Sequence, residues 1–243
     1  IVGNGDFDAT LTASGFPISA DYGNCFVKLS TSSLSLLDYF TPSNTVDESN
    51  SDLDFGSGGP MVLPDLTDVN GATRHLVVGA GKDASLYALD RDNMGKFHAD
   101  ANNVYQVLPH ALTGLVFSKP AYFNGTMYYA STGDTLKAFP IDKAKVADTP
   151  SSISENRFPY PGATPTVSAN EDKNGIVWAI QNGKIAALVA YDATNVANIL
   201  YASTQDFSGR DSFAGNKFIT PVVANGKVYV GTPNSVVVFG ILP

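Results

Sequence analysis

Four carboxylates crowd one short stretch of this chain: Asp47, Glu48, Asp52 and Asp54. Carboxylates that close repel one another unless a cation or a basic side chain neutralises them. Two readings follow: a weak cation site with Asp52 and Asp54 among its ligands, or a solvated acidic loop. A second acidic segment, Asp65-Leu66-Thr67-Asp68-Val69-Asn70-Gly71, sets Asp68 and Asn70 two residues apart just before a glycine. Calcium loops supply oxygen ligands at that alternation, with a glycine at the bend. No bidentate Glu follows in register, which favours an Asx-rich hairpin turn over a calcium loop.

Other reactive side chains are sparse. His75, His98 and His110 have neither the i,i+4 helical spacing nor the cysteine partners of a zinc site, and read as structural or surface residues. The single cysteine, Cys25, excludes an internal disulfide and reads as a small buried apolar side chain in a strand. The single tryptophan, Trp178, lies in a strand pattern and reads as core, with a cofactor platform as the alternative. Arg157, Arg210 and Asp211 fall in long loops and are candidate ligand-face residues for an anion. Asn124-Gly125-Thr126 is a glycosylation sequon that coincides with a predicted turn. No G-x-S-x-G elbow, P-loop or glycine-rich strand-to-helix motif is present, because Gly79-Ala80-Gly81 leads from one strand into another.

Composition narrows the class. The 243 residues carry 15 basic and 23 acidic side chains, a formal charge of −8, with 44% apolar and only 16% charged residues. That is too apolar for a disordered chain. It is too acidic for a duplex nucleic acid or anionic membrane partner, both of which need a basic face. No run approaches the ~18 apolar residues of a membrane-spanning helix. The chain opens on Ile1 without a signal-like apolar segment, which predicts a processed form or a piece of a longer protein. Few lysines and many Asn, Ser and Thr residues predict an extracytoplasmic setting.

The strongest signal is an internal repeat. It combines a proline with short apolar residues, an Asn-Gly turn, an alternating strand and a second strand. Copies start near Pro60, Pro120, Pro165 and Pro221, with Asn-Gly pairs at 70–71, 124–125, 174–175 and 225–226. A partial copy opens the chain at Ile1-Val2-Gly3, followed by Phe26 to Leu29. The later strand recurs at Phe26, Leu86, Leu136, Leu188 and Val236, in steps of 60, 50, 52 and 48. A period of about 50 with three or four short strands per repeat is that of a β-propeller blade. Asn-Gly suits a type I′ hairpin turn, whose two central residues both need positive φ. The reading is therefore one all-β domain over 1–243, a whole or partial propeller. Its blades have up to four antiparallel strands, and the first and last of the five are incomplete. Loops are predicted at 5–23, 41–57, 98–117, 147–162 and 203–217. The best helical candidate is the short stretch from Ile141 to Ala147.

The segment Asp52-Leu53-Asp54-Phe55-Gly56-Ser57-Gly58-Gly59-Pro60-Met61-Val62-Leu63, followed by Leu76 to Asp92, resembles the quinoprotein β-propellers of the pyrroloquinoline quinone (PQQ) alcohol dehydrogenase-like superfamily. Gly3-Asn4-Gly5 resembles an element preceding it in that family. The resemblance implies a seven- or eight-bladed ring of which this chain is a C-terminal part. A closed five-bladed ring is the alternative. It also implies PQQ and calcium as cofactors, with Asp21 as the candidate base. The basic residue expected after the outer aromatic strand is missing at Tyr39-Phe40-Thr41-Pro42, and so is the adjacent cysteine pair.

Three functions follow as expectations. The first is a non-catalytic extracytoplasmic binding or assembly module with a protein, glycan or surface partner. The second is a PQQ-dependent alcohol or sugar dehydrogenase. The third is a structural protein forming homo-oligomers through unpaired edge strands.

Overall fold

A computed structural model describes residues 3–241, so Ile1 and Val2, the start of the expected first repeat, lie outside the described residues. The architecture is that of β-propeller blades: antiparallel meanders in which consecutive strands are spatial neighbours. The chain divides into two compact units, one of residues up to Ala111 with Lys143–Val146, the other of Leu112–Asp142 and the residues from Ala147 onward.

The first unit holds the hairpin Phe26–Leu29 with Leu36–Phe40 and a four-stranded sheet. The sheet runs Met61–Val62, Leu76–Ala80, Leu86–Asp90 and Gln106–Leu108 in spatial order. A small hairpin, Leu66–Thr67 with Thr73–Arg74, extends from it. Its core is aromatic. Phe26, Phe40, Phe55 and Tyr87 are buried together, with the Phe55 and Tyr87 ring centroids 4.8 Å apart in an edge-on contact. The long step of 60 residues has a structural cause. The segment between Phe40 and Met61 forms the helix Thr45–Asn50 and the 3-10 turn Phe55–Ser57, where the sequence predicts only loop.

The second unit holds three successive sheets. The first comprises Ala121–Phe123, Thr126–Tyr129 and Thr135–Asp142, with Ser152–Arg157 along the outer edge. The second comprises Thr166–Asn170, Lys173–Gln181, Ile185–Asp192 and Asn195–Ala202. Among the described residues the third comprises Val222–Ala224, Lys227–Gly231 and Val236–Phe239. Facing sheets bury Tyr128, Leu136, Val177, Val189 and Tyr191 in one core, and Ile180, Leu188, Val228 and Val230 in the next.

Two of the Asn-Gly pairs make the expected turns. Asn124 and Gly125 have φ of 45° and 79°, and Asn225 and Gly226 have 50° and 70°. The pair Asn174-Gly175 does not. The turn falls at Glu171, with φ 54°, and Asp172, while Gly175 lies within a strand. A Cβ on Gly175 would meet the Phe123 ring at 2.4 Å and the Ala193 Cβ at 2.8 Å, so glycine serves close packing there.

The helix expected from Ile141 to Ala147 is absent. Thr135–Asp142 is a strand, Lys143 and Ala144 take φ of 46° and 61°, and Lys145–Val146 is again extended. The Ala147 N–H donates to the Pro140 carbonyl at 2.8 Å, so the backbone is committed to a hairpin there. Within the predicted 147–162 loop, Ser152–Arg157 is a strand with Ile153 outside and Ser154 inside. Its polarity is inverted because the buried Ser154 Oγ accepts the Leu136 N–H at 2.9 Å and donates to the Asn156 carbonyl.

Candidate functional site: an apolar groove with a polar rim

The acidic stretch is organised around a lysine. Lys82 Nζ lies 2.7 Å from Asp54 Oδ2 and 3.1 Å from Asp52 Oδ2, and it donates to the Asp52 carbonyl. The Asn4 N–H donates to Asp54 Oδ1. Gly81 makes this approach possible: a Cβ there would meet the Asp54 carbonyl at 2.8 Å. Asp68 is equally committed. Its Oδ1 accepts the Asn70 and Ala72 N–H groups at 2.9 and 3.0 Å, and its Oδ2 accepts the Arg74 guanidinium at 2.8 Å. The Arg74 hydrogen bond and these backbone donors hold the Asp68 carboxyl below the usual carboxylate range. A calcium ion at either place would have to displace an internal cation, so these residues do not fit the ion in this arrangement. Among the described residues no three His, Cys, Asp or Glu side chains converge as a metal-binding group.

Asp21 is exposed, just before Tyr22, which forms an isolated bridge with Phe7. The buried carboxyl of this unit is Glu48, on the Thr45–Asn50 helix and only 2% exposed. Asn24 Nδ2 donates to Glu48 Oε2 at 3.1 Å, while Oε1 is buried without a hydrogen-bond partner. Burial, with the Asp83 charge adding to it, raises the Glu48 carboxyl to about 7. Asp83 accepts the Tyr87 hydroxyl at 2.8 Å. Cys25 is fully buried, and desolvation pushes its thiol up to about 12. His75 Nδ1–H donates to Asp92 Oδ2 at 2.7 Å, which raises its imidazole above the ordinary histidine range.

In the second unit, Arg157 ends an outer strand and donates to the Gly133 carbonyl. Asn124 is in its turn, with its side-chain amide 3.5 Å from the Asp172 carbonyl. Arg210 and Asp211 lie somewhere more informative, at the rim of a groove of about 680 Å³ between the last two sheets. Trp178, Tyr201, Val223, Val237, Phe239 and Ile241 supply most of its apolar wall. Trp178 is half-buried, and its indole N–H donates to Ser168 Oγ at 2.8 Å. It lines the groove rather than lying sealed in the core.

Three of the groove's polar groups are tied to one another, and Lys227 adds a cation to the lining. Arg210 donates to Asp211 Oδ1 at 2.7 Å and Oδ2 at 3.2 Å. The Tyr201 hydroxyl donates to Asp211 Oδ2 at 2.7 Å. The Arg210 hydrogen bond, then that of Tyr201, lowers the Asp211 carboxyl, so it is ionised at neutral pH. Desolvation and that carboxylate push the Tyr201 hydroxyl well up. The site therefore offers a rigid apolar surface with a fixed polar edge, suited to binding an apolar group of small-molecule or side-chain size.

The fold places the chain among the β-propellers. No protein-family model and no curated protein sequence matches it. Solved structures similar to it include BamB from Moraxella catarrhalis (14% identity, 85% of this chain and 53% of that one, TM-score 0.45). The WD40 β-propeller domain of Doa1 is also similar (9% identity, 74% and 51%, TM-score 0.46), as is the computationally designed protein Ika8 (14% identity, 72% and 49%, TM-score 0.45). The chain spans about half the length of each of these three structures.

Proposed function

We propose that this chain is a non-catalytic binding or assembly module that works outside the cytoplasm and receives an apolar group of its partner in the groove beside Trp178. The observation that carries this reading is the groove itself. It is large enough for a sizeable apolar group, at about 680 Å³, and on its rim Arg210, Asp211 and Tyr201 are tied to one another while Lys227 adds a further cation. A mostly apolar wall whose one carboxylate is already committed to an arginine and a tyrosine is arranged to hold a partner rather than to transfer a proton or a group. The low lysine content and Asn-, Ser- and Thr-rich composition support the extracytoplasmic setting. The dehydrogenase reading has less support, because Lys82 and Arg74 occupy the carboxylates that would hold calcium.

The test is a titration with the apolar dye anilinonaphthalene sulfonate. Trp178 is the sole tryptophan and lines the groove, so energy transfer from it is strongest for dye bound there. Saturable one-to-one binding that Val237→Arg abolishes in a still-folded chain is the expected result. Absence of saturable binding to the folded chain overturns the reading.

A further inference from the structure

One carboxyl of the first unit is sealed from solvent. Glu48, on the Thr45–Asn50 helix, is 2% exposed, and its Oε1 is buried without a hydrogen-bond partner. A buried carboxylate with one oxygen unmet is costly. A protonated carboxyl is neutral and does not carry that cost. Its other oxygen, Oε2, accepts the Asn24 side-chain N–H at 3.1 Å. Asn24 is itself fully buried and fastens three segments at once. Besides holding Glu48, its Oδ1 accepts the Phe55 N–H and its carbonyl accepts the Thr41 hydroxyl at 2.9 Å. Phe55 in turn packs on Phe26 and Tyr87, with ring centroids 4.9 and 4.8 Å away. The lock on this part of the chain therefore runs through one hydrogen bond to Glu48.

The groups around Glu48 oppose a charge there. Asp83, from the loop between the Leu76–Ala80 and Leu86–Asp90 strands, adds a like charge. Asp83 Oδ2 accepts the Tyr87 hydroxyl at 2.8 Å. Burial pushes that hydroxyl well up, so Tyr87 stays neutral. Cys25, next to Asn24 in sequence, is also neutral, its thiol pushed up to about 12 by desolvation. The side-chain amides of Asn44 and Asn24 favour the ionised form, but burial and the Asp83 charge outweigh them. Lys82 directs its ammonium to Asp54 and Asp52.

We propose that Glu48 is a proton-operated latch: protonated, it holds the Thr45–Asn50 helix closed on Asn24, and ionised, it lets the helix and the turn at Leu53 lift away while the strands of the unit stay folded. Lys82 keeps hold of Asp54 in both forms, so the segment swings from that end. Lifting gives Oε1 access to water and moves the Glu48 charge away from Asp83. The direction in pH follows from the two forms. The closed form holds the proton up to about pH 7, and the open form holds it only up to the ordinary value of 4.5. Preference for the closed form is complete below 4.5 and is lost as pH rises through about 7. The latch is thus shut in acid and loosens toward neutral pH, independently of the groove in the other unit.

Amide hydrogen exchange on the full chain reads the latch. The Ser51 N–H donates to the Asp47 carbonyl at 3.0 Å and the Leu53 N–H to the Glu48 carbonyl at 2.8 Å, so both report the segment. Corrected for intrinsic exchange, their protection falls about tenfold per pH unit from pH 5 to near 7 and then levels off. Low urea leaves their exchange unchanged and speeds that of the Leu76–Ala80 and Leu86–Asp90 strands, because a local opening exposes little surface. Glu48→Gln has no proton to lose, and its Ser51 and Leu53 protection is constant over this range. The same pH dependence in Glu48→Gln overturns the proposal. So does Ser51 and Leu53 exchange that rises with urea in step with the strands, since the segment then opens only when the whole unit unfolds. The urea comparison is made on the unaltered chain and needs no variant to fold.

Discussion

Lys82 places its ammonium 2.7 Å from the Asp54 carboxylate and supplies the cation that the acidic stretch of this chain requires. The lysine side chain is 11% exposed and that of Asp54 22%, so the pair is largely shielded from solvent. Replacing Lys82 by Ala leaves Asp52 and Asp54 uncompensated, at a cost of about 1–3 kcal/mol in denaturant-unfolding stability. Calcium then raises the melting temperature of Lys82→Ala and leaves that of the unaltered chain unchanged. An equal rise in both would show that the acidic stretch binds the ion despite the lysine.

Glu48 sets a pH dependence. Its carboxyl is raised from 4.5 to about 7 in the folded chain. A raised folded value means that the folded state holds the proton more tightly than the unfolded one. The stabilisation is complete below the unfolded value and is lost as pH rises through about 7. Its size is on the order of 3 kcal/mol. Glu48→Gln, neutral at every pH, flattens the stability profile between pH 5 and 8 relative to the unaltered chain. Parallel profiles for the two proteins would refute the assignment.

Ser154 holds the outer strand of its sheet through the Leu136 N–H. Ser154→Ala leaves that buried donor unmet and costs about 1–3 kcal/mol, read from urea unfolding. Ser203→Ala has the same effect through Leu188.

Cys25, fully buried with its thiol pushed up to about 12, resists alkylation at neutral pH in the folded chain and reacts on unfolding. Rapid native labelling by iodoacetamide would contradict its burial.

The blades were legible in the sequence because their strands alternate and two hairpins use Asn-Gly turns. The polar elements were not. Thr45–Asn50 is too short for a helical period, and Ser152–Arg157 turns its serine inward and its isoleucine outward. The Lys82–Asp54 pair spans 28 positions of sequence, and no local pattern announces it. Arg210 and Asp211 were visible as loop residues. Their setting was hidden, because a strand tryptophan reads as core until the two neighbouring sheets are seen to leave a groove beside it.

The most direct test of the groove is the dye titration, run side by side on the unaltered chain and on Val237→Arg. One apolar site beside Trp178 predicts saturable one-to-one binding with energy transfer, lost in the folded variant. Equal binding by the two proteins, or none by the folded unaltered chain, would contradict it.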